Sequence, residues 1–284
     1  METLVNLFNL KGLLLAALIF IPIEHLLPMH QGQKVLRRAW LNDLVYALLN
    51  SIVVAAGLTV IALLVVTVSD ALLPKAFKAA VADQPYWLQV VELVILADLG
   101  FYLMHRLFHA IPTLWRFHAV HHSIEEMDWL AAHRVHPIDQ ILTKGASFIP
   151  CFGLGFSEWA IITYFMIYQW HSLMLHANIN VNFGPLRWLV ASPEFHHWHH
   201  TNRVEAYDKN FAGQIAFWDF LFGTGHLPKD GKPGDYGVDE TLPAGYVSQF
   251  AHPFRRPDDG AAENPGSLPP EPVPQNSPAR EVRA

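Results

Sequence analysis

The stretch LVYALLNSIVVAAGLTVIALLVVTVS, residues 44–69, contains no Asp, Glu, Lys or Arg. It is longer than the ~20 apolar residues an α-helix needs to cross a bilayer. Three other apolar zones flank it. One runs from Gly12 to about Leu27 and is interrupted by Glu24; another covers Pro85 to Met104 and carries Glu92 and Asp98. The last, Pro137 to His176, contains Lys144 and Glu158 and is long enough for two helices turned back at Gly153–Ser157. Expected spans are therefore about 10–28, 44–69, 85–104, 137–154 and 157–176, the last two forming a partly re-entrant hairpin as an alternative. The first zone reads as a retained span, because only Lys11 and Glu2 precede it and no small-x-small cleavage site follows.

Composition points the same way. Of 284 residues, 52% are hydrophobic and 15% charged, against roughly 25% charged in an ordinary soluble domain. A net charge of −6 offers no basic footprint for nucleic acid. The single cysteine, Cys151, excludes an intramolecular disulfide and a thiolate-only metal site. Six cations (Lys34, Arg37, Arg38, Arg106, Arg116, Arg134) fall on the side reached after the first span, against Lys11, Lys75 and Lys78 on the other. The positive-inside rule then makes the former side cytoplasmic. From Pro257 to Ala284 there are seven prolines and few large apolar residues, a composition that cannot offset the entropy of ordering. The expected organisation is a membrane-embedded catalytic domain, 1–255, and a disordered Pro-rich tail, 256–284. The expected fold class is all-α: an integral membrane bundle of four to five helices. A cytoplasmic helical cap (105–136 and 177–225) is expected to carry a histidine-rich di-metal site, on the residues that follow.

Thirteen of the 17 histidines lie between His105 and His200. Their spacing is informative: His105 and His109 are four apart, His118, His121 and His122 give spacings of three and four, and His196, His199 and His200 repeat that pattern. On a helix, residues i, i+3 and i+4 share one face, with Cβ atoms ~5–6 Å apart, which suits two or three imidazoles on one or two metal ions. Pro112 is placed to start the helix bearing the first triplet. Ser192-Pro193-Glu194 reads as a cap, a first-turn proline and a first-turn acid before the second. Packed neutral imidazoles near a membrane need partners, and eight or nine nitrogens match two ions at four or five ligands each. A structural zinc site closes with four ligands; imidazole suits zinc, copper, iron and nickel, and iron is the first choice for oxygen chemistry. His197 occupies the variable position and is expected to point away. His133 and His171 are left outside the ligand set, His136 is left undecided between ligand and bystander, and His25, His30, His226 and His252 read as interfacial. Trp115, Phe117, Phe195 and Trp198 read as packing groups.

The ordered motifs HRLFH, FHAVHH, RVHP, HANI and FHHWHH, with Asp98-Leu-Gly-Phe-Tyr102 before them and Asn210 and Trp218–Thr224 after, resemble the fatty acid hydroxylase (sterol desaturase) superfamily from about Asp98 to Thr224. The resemblance implies an integral-membrane, non-haem di-iron enzyme that uses dioxygen and two electrons to hydroxylate or desaturate a lipid. It makes His105, His109, His118, His121, His122, His196, His199 and His200 metal ligands in the catalytic centre, with His176 as a further one; His136 matches a family position. Asp98, on the same helical stripe as His105, is expected to hydrogen-bond a ligand histidine from outside, and Asn178 and Asp219 are weaker candidates for that role. The expected partners are a lipid substrate, the membrane and a separate ferredoxin-like or cytochrome-type electron donor docking on the basic cytoplasmic surface. No nucleic acid is expected. The expected location is the bacterial inner membrane, with the endoplasmic reticulum as the alternative.

Other chemistries remain open on the same residues. A metal-dependent lipid lyase or hydrolase would keep the site and dispense with dioxygen. A metal transporter would place its ligands near the bilayer midplane, and a haem protein would need two facing histidines rather than triplets.

Overall fold

A computed structural model describes residues 10–255; the expected Pro-rich tail, 256–284, lies outside the described residues. The helices treated below belong to one unit ending at Pro253. They are α1 (Gly12–Leu26), α2 (Trp40–Leu72), α3 (Lys75–Ala82), α4 (Tyr86–Ala110), α5 (Pro112–His122), α6 (Pro137–Gly153), α7 (Glu158–His176), α8 (Pro193–His199), α9 (Phe217–Leu221) and α10 (Tyr246–Ala251). Short 3₁₀ turns punctuate the connections. No strand occurs among the described residues, only the isolated bridges Pro28–Ile179 and Thr201–Tyr236. The all-helical expectation therefore holds.

Two helices, α2 and α4, are long and apolar enough to cross a membrane. The uncharged run lies inside α2, whose 33 residues extend ~50 Å at 1.5 Å per residue. Leu49, Ile52, Val60, Leu63, Leu64, Val68 and Leu72 stand exposed along it, an apolar surface that water would disfavour. The charge-poor zone expected at 85–104 continues as helix to Ala110, so His105 and His109 project from the same rod as the apolar segment. The segment 137–176 divides as its Gly-containing turn predicts: α6 ends at Gly153, and Ser157 caps α7 by accepting from the Ala160 N–H. At Gly155, φ is +97° and a Cβ would meet the Lys78 backbone at 2.7 Å, so α3 packs against this turn.

The centre of the bundle is α6, against which both α2 and α4 pack. Gly100 makes the second contact: a Cβ there would lie 2.7 Å from the Ala146 carbonyl oxygen. Phe20, Trp129 and Trp170 stack to join α1 and α7 to the 124–134 segment.

A buried ion cluster fixes that segment. Asp43, in the first turn of α2, accepts from Arg37 and, at 2.5 Å, from Arg134 Nε, and Arg37 also reaches Asp128 at 2.6 Å. All four side chains are buried. Two of the six cations assigned to a basic cytoplasmic surface, Arg37 and Arg134, are thus consumed inside the protein. The surface therefore carries two fewer free cations than the sequence suggests.

Candidate metal centre

The histidine motifs sit where helices end. The last turns of α4 present His105 and His109, and only Ile111, in extended conformation, separates that helix from Pro112 at the start of α5. One face of α5 then presents His118, His121 and His122. His176 is the final residue of α7. Ser192 caps α8 by accepting from the Phe195 N–H, with Pro193 in its first turn, as the Ser-Pro-Glu signature predicts. That short helix carries His196 and His199, with His200 at its C-cap.

These nine histidines gather in two groups: His105, His109, His118, His122 and His199 in one, His121, His176, His196 and His200 in the other. Within each group the nearest ring nitrogens all lie within 4.8 Å of one another. Nε2 atoms face each other at 3.0 Å for His105–His118, His122–His199 and His176–His196, at 3.1 Å for His196–His200 and at 3.2 Å for His121–His176. Two like-charged cations would not tolerate such spacing, whereas two lone pairs directed at a shared ion would adopt it.

The outward-facing nitrogens explain the orientation. His105 Nδ1 donates to the Phe211 carbonyl at 2.6 Å, His121 Nδ1 to Arg134 O at 2.9 Å, His176 Nδ1 to Ser172 O at 2.9 Å and His199 Nδ1 to Lys209 O at 2.7 Å. His118 Nδ1 donates to Asp139 Oδ2 at 2.7 Å, and His109 Nδ1 to Asp208 Oδ1 at 3.2 Å. A proton on Nδ1 leaves the Nε2 lone pair pointing inward, the tautomer a metal ion requires. Electrostatics agree. Burial, and after it the neighbouring imidazoles, hold His118, His121, His122, His196, His199 and His200 well below the ordinary histidine range. They are neutral near pH 7. His109 Nε2 is buried without a partner, an orphan that a bound ion would satisfy. The donor set and its protonation thus fit two imidazole-bound metal ions.

Several expected roles fall elsewhere. His136 stands apart from both groups: its Nδ1 accepts from the Ile138 N–H to cap α6, and its Nε2 lies 3.1 Å from the Phe250 carbonyl. The proline after it makes this a cap position, which is why a histidine serves there. Asp98 has no hydrogen bond to a histidine among the described residues. Its oxygens accept from the Gly213 and Ile215 N–H groups at 3.1 and 2.8 Å. Asp219 holds the same loop, accepting from Phe211 N and Ala212 N at 2.8 Å each and from Thr224 Oγ1 at 2.7 Å. Together they fix the backbone whose Phe211 carbonyl orients His105, one bond further out than expected. Asn178 pairs with the His30 backbone in both directions and does not reach a ligand ring. His133 and His171 stay outside both groups, the latter bonded to the Ala191 carbonyl.

His197 turns away, as its position predicts, and does a different job. Its Nε2 donates to the His176 and Ala177 carbonyls, so its Nδ1 accepts from the Tyr236 hydroxyl at 2.7 Å, and that hydroxyl accepts in turn from His30 Nε2 at 2.7 Å. Sequence reading missed Tyr236, Asp139 and Asp208. Asp139 is visible only as a first-turn acid of α6, and Asp208 only as a residue at positive φ; nothing local ties either to a histidine.

The nine imidazoles separate two cavities. One, of about 280 Å³, runs between α2, α6 and α7 and meets His105, His118, His121, His176 and His196. The other, of about 450 Å³, is lined by the remaining four, His109, His122, His199 and His200, together with Trp115, Tyr207 and Asp208. Both groups contribute to both walls.

The fatty acid hydroxylase family model matches residues 90–224, a range that contains all nine histidines. The chain is 29% identical over 280 residues to an ornithine lipid hydroxylase of Rhizobium tropici, covering 98% of this chain and 84% of that protein. Alkylglycerol monooxygenases of Xenopus tropicalis and Homo sapiens are 31% and 33% identical over 128 and 129 residues, 45% of this chain and 28% of theirs. The chain therefore spans little more than a quarter of the length of these monooxygenases. No solved structure matches it. Residues 90–224 thus match the fatty acid hydroxylase family, and the chain is similar to lipid hydroxylases and monooxygenases, which are oxygen-dependent enzymes.

Proposed function

We propose that this protein is a membrane-bound di-iron oxygenase that hydroxylates or desaturates a lipid. The observation that carries the reading is the pair of histidine groups standing between two cavities. His105, His109, His118, His122 and His199 would hold one ion, and His121, His176, His196 and His200 the other. The chemistry supplied by bound iron is reduction of dioxygen and oxidation of an unactivated C–H bond. The chain's own part is geometric: carbonyls and carboxylates lock six of the nine imidazoles, and the 280 Å³ cavity would present substrate to one face of the site.

In this reading α1, α2, α4, α6 and α7 form the membrane bundle within a catalytic domain of residues 1–255, followed by the 256–284 tail. The segments 105–136 and 177–225 cap it on the cytoplasmic side of a bacterial inner membrane. A separate ferredoxin-like or cytochrome-type protein supplies the electrons. An ornithine lipid and an alkylglycerol are both polar-headed lipids, which favours a substrate of that kind.

The test is metal analysis of the purified protein with lipid profiling of cells with and without it. Two irons per chain and an oxygenated lipid that disappears with the gene are expected. His121→Ala should abolish the product while membrane insertion persists; continued product formation would refute the ligand assignment. A lipid product made without dioxygen or reductant would favour a lyase or hydrolase instead.

A further inference from the structure

The cavity that meets the histidines contains a cation that the metal centre does not use. Lys144 is the eighth residue of α6, about 10 Å of helix from its N-terminal end, and lines the 280 Å³ cavity. Its ammonium has no hydrogen bond or ion pair among the described residues; it lies 5.9 Å from the centroid of the Tyr168 ring and feels the Asp139 carboxyl at longer range. The closest acid in sequence, Asp139, is already engaged: His118 Nδ1 and the Thr143 hydroxyl take its two carboxylate oxygens. An ammonium in a bundle interior, with no hydrogen bond of its own and facing a carboxyl already held by other donors, is costly and points to a ligand.

Two further polar groups of the cavity lining are unpartnered. The Tyr46 hydroxyl, on a fully buried side chain, and His133 Nε2 both lack a hydrogen-bond partner, although both residues line the cavity. Gln140 and Gln169 add amides to the same lining, while Val54, Ala55 and Leu58 of α2 supply an apolar side. A compact ammonium in a cavity that also offers side-chain amides suits an oxyanion.

We propose that Lys144, with Gln140 and Gln169 of the same cavity, forms a subsite for a negatively charged group, a carboxylate or phosphate, on the substrate lipid. This rests on the oxygenase reading. An anion seated at Lys144 is held in the same small cavity as His105, His118, His121, His176 and His196. The oxidised carbon then lies near the acidic head of the lipid, and the remainder of the chain extends outside the cavity. The substrate class is an acidic lipid, and the position of attack is near its head.

The experiment uses the full-length, iron-loaded protein in phosphatidylcholine nanodiscs. Binding is measured for three radiolabelled probes: N-palmitoylglycine, its methyl ester and hexadecyl phosphate. Wild type should bind an acidic probe at least tenfold more tightly than the ester. Lys144→Met should abolish that preference, and Lys144→Arg should keep most of it. The stronger of the two acids identifies the source of the anion. Equal binding of ester and acids by wild type, or an undiminished preference in Lys144→Met at wild-type iron content, overturns the subsite. Should Lys144→Met fail to assemble, Lys144→Gln with a wild-type iron content decides on the same criterion. Failure of the oxygenase reading registers separately, as wild type that discriminates acid from ester yet oxidises no lipid under dioxygen and reductant.

Discussion

Replacing Asp139 by Asn tests whether an imidazole's outer partner tunes the metal centre. In the native protein His118 Nδ1 donates to Asp139 Oδ2 at 2.7 Å, with both side chains almost wholly buried. The Asp139→Asn amide would keep the shape and an acceptor oxygen but remove the charge. A hydrogen bond to a charged group contributes ~1.5–3 kcal/mol and a neutral one ~0.5–1.5. The expected loss is therefore about 1–1.5 kcal/mol, or roughly tenfold in iron affinity, within the ~10–100-fold range seen for such outer partners. The Thr143 hydroxyl, which donates to Asp139 at its backbone oxygen (2.5 Å) and its carboxylate (3.3 Å), stays satisfied, so the fold should survive. The assay is competition for ferrous iron against a chelator of known affinity, with Asp98→Asn as a control one bond further from the histidines. If Asp139→Asn retains iron within twofold of wild type, the carboxylate does not tune His118 and the proposed division of labour is wrong.

Other consequences follow from the same geometry. Asp43→Asn leaves Arg37 and Arg134 buried without their shared carboxylate and should cost about 3–5 kcal/mol, read as a fall in thermal midpoint in detergent; Arg134 also carries the carbonyl that orients His121, so iron content should drop with it. Tyr236→Phe removes the hydroxyl shared by His30 and His197 and should cost about 1 kcal/mol with iron stoichiometry unchanged; loss of iron would make Tyr236 part of the ligand support. For pH the sign is set by the depressed histidines. Unfolded imidazoles take up protons near pH 6.5, folded ones only at lower pH, so the unfolded chain binds more protons in between and stability falls as pH drops below about 6.5. Iron release and a lowered thermal midpoint should appear together there, and a flat profile from pH 7 to 5 would contradict neutral, buried imidazoles.

Much of this architecture is legible in the linear chain because the signals are local. An uncharged 26-residue run must hide from water, and i, i+3, i+4 spacing must place imidazoles on one helix face, so α2 and the faces of α5 and α8 follow from residues that are near neighbours. Capping is similarly local, which is why Ser192-Pro193-Glu194 marks the start of α8. His136 shows where such reasoning strays: its family position and its chemistry both permit a ligand, but the proline after it makes its ring a helix cap.

The residues that complete the site come from far away in sequence. Asp139 meets His118 across 21 positions, Phe211 meets His105 across 106, and Asp43 meets Arg134 across 91. No periodicity encodes those distances, because they depend on how α2 and α4 seat on α6 and on where the 211–215 loop is drawn in by Asp98 and Asp219. The chain alone determines that histidines line up in threes and that apolar helices carry them. Only packing decides which nitrogen faces inward, which cations are spent in the interior, and that Lys144 lines the histidine cavity without an ion pair of its own. Charge compensation is a property of three-dimensional neighbours, and sequence order does not record it.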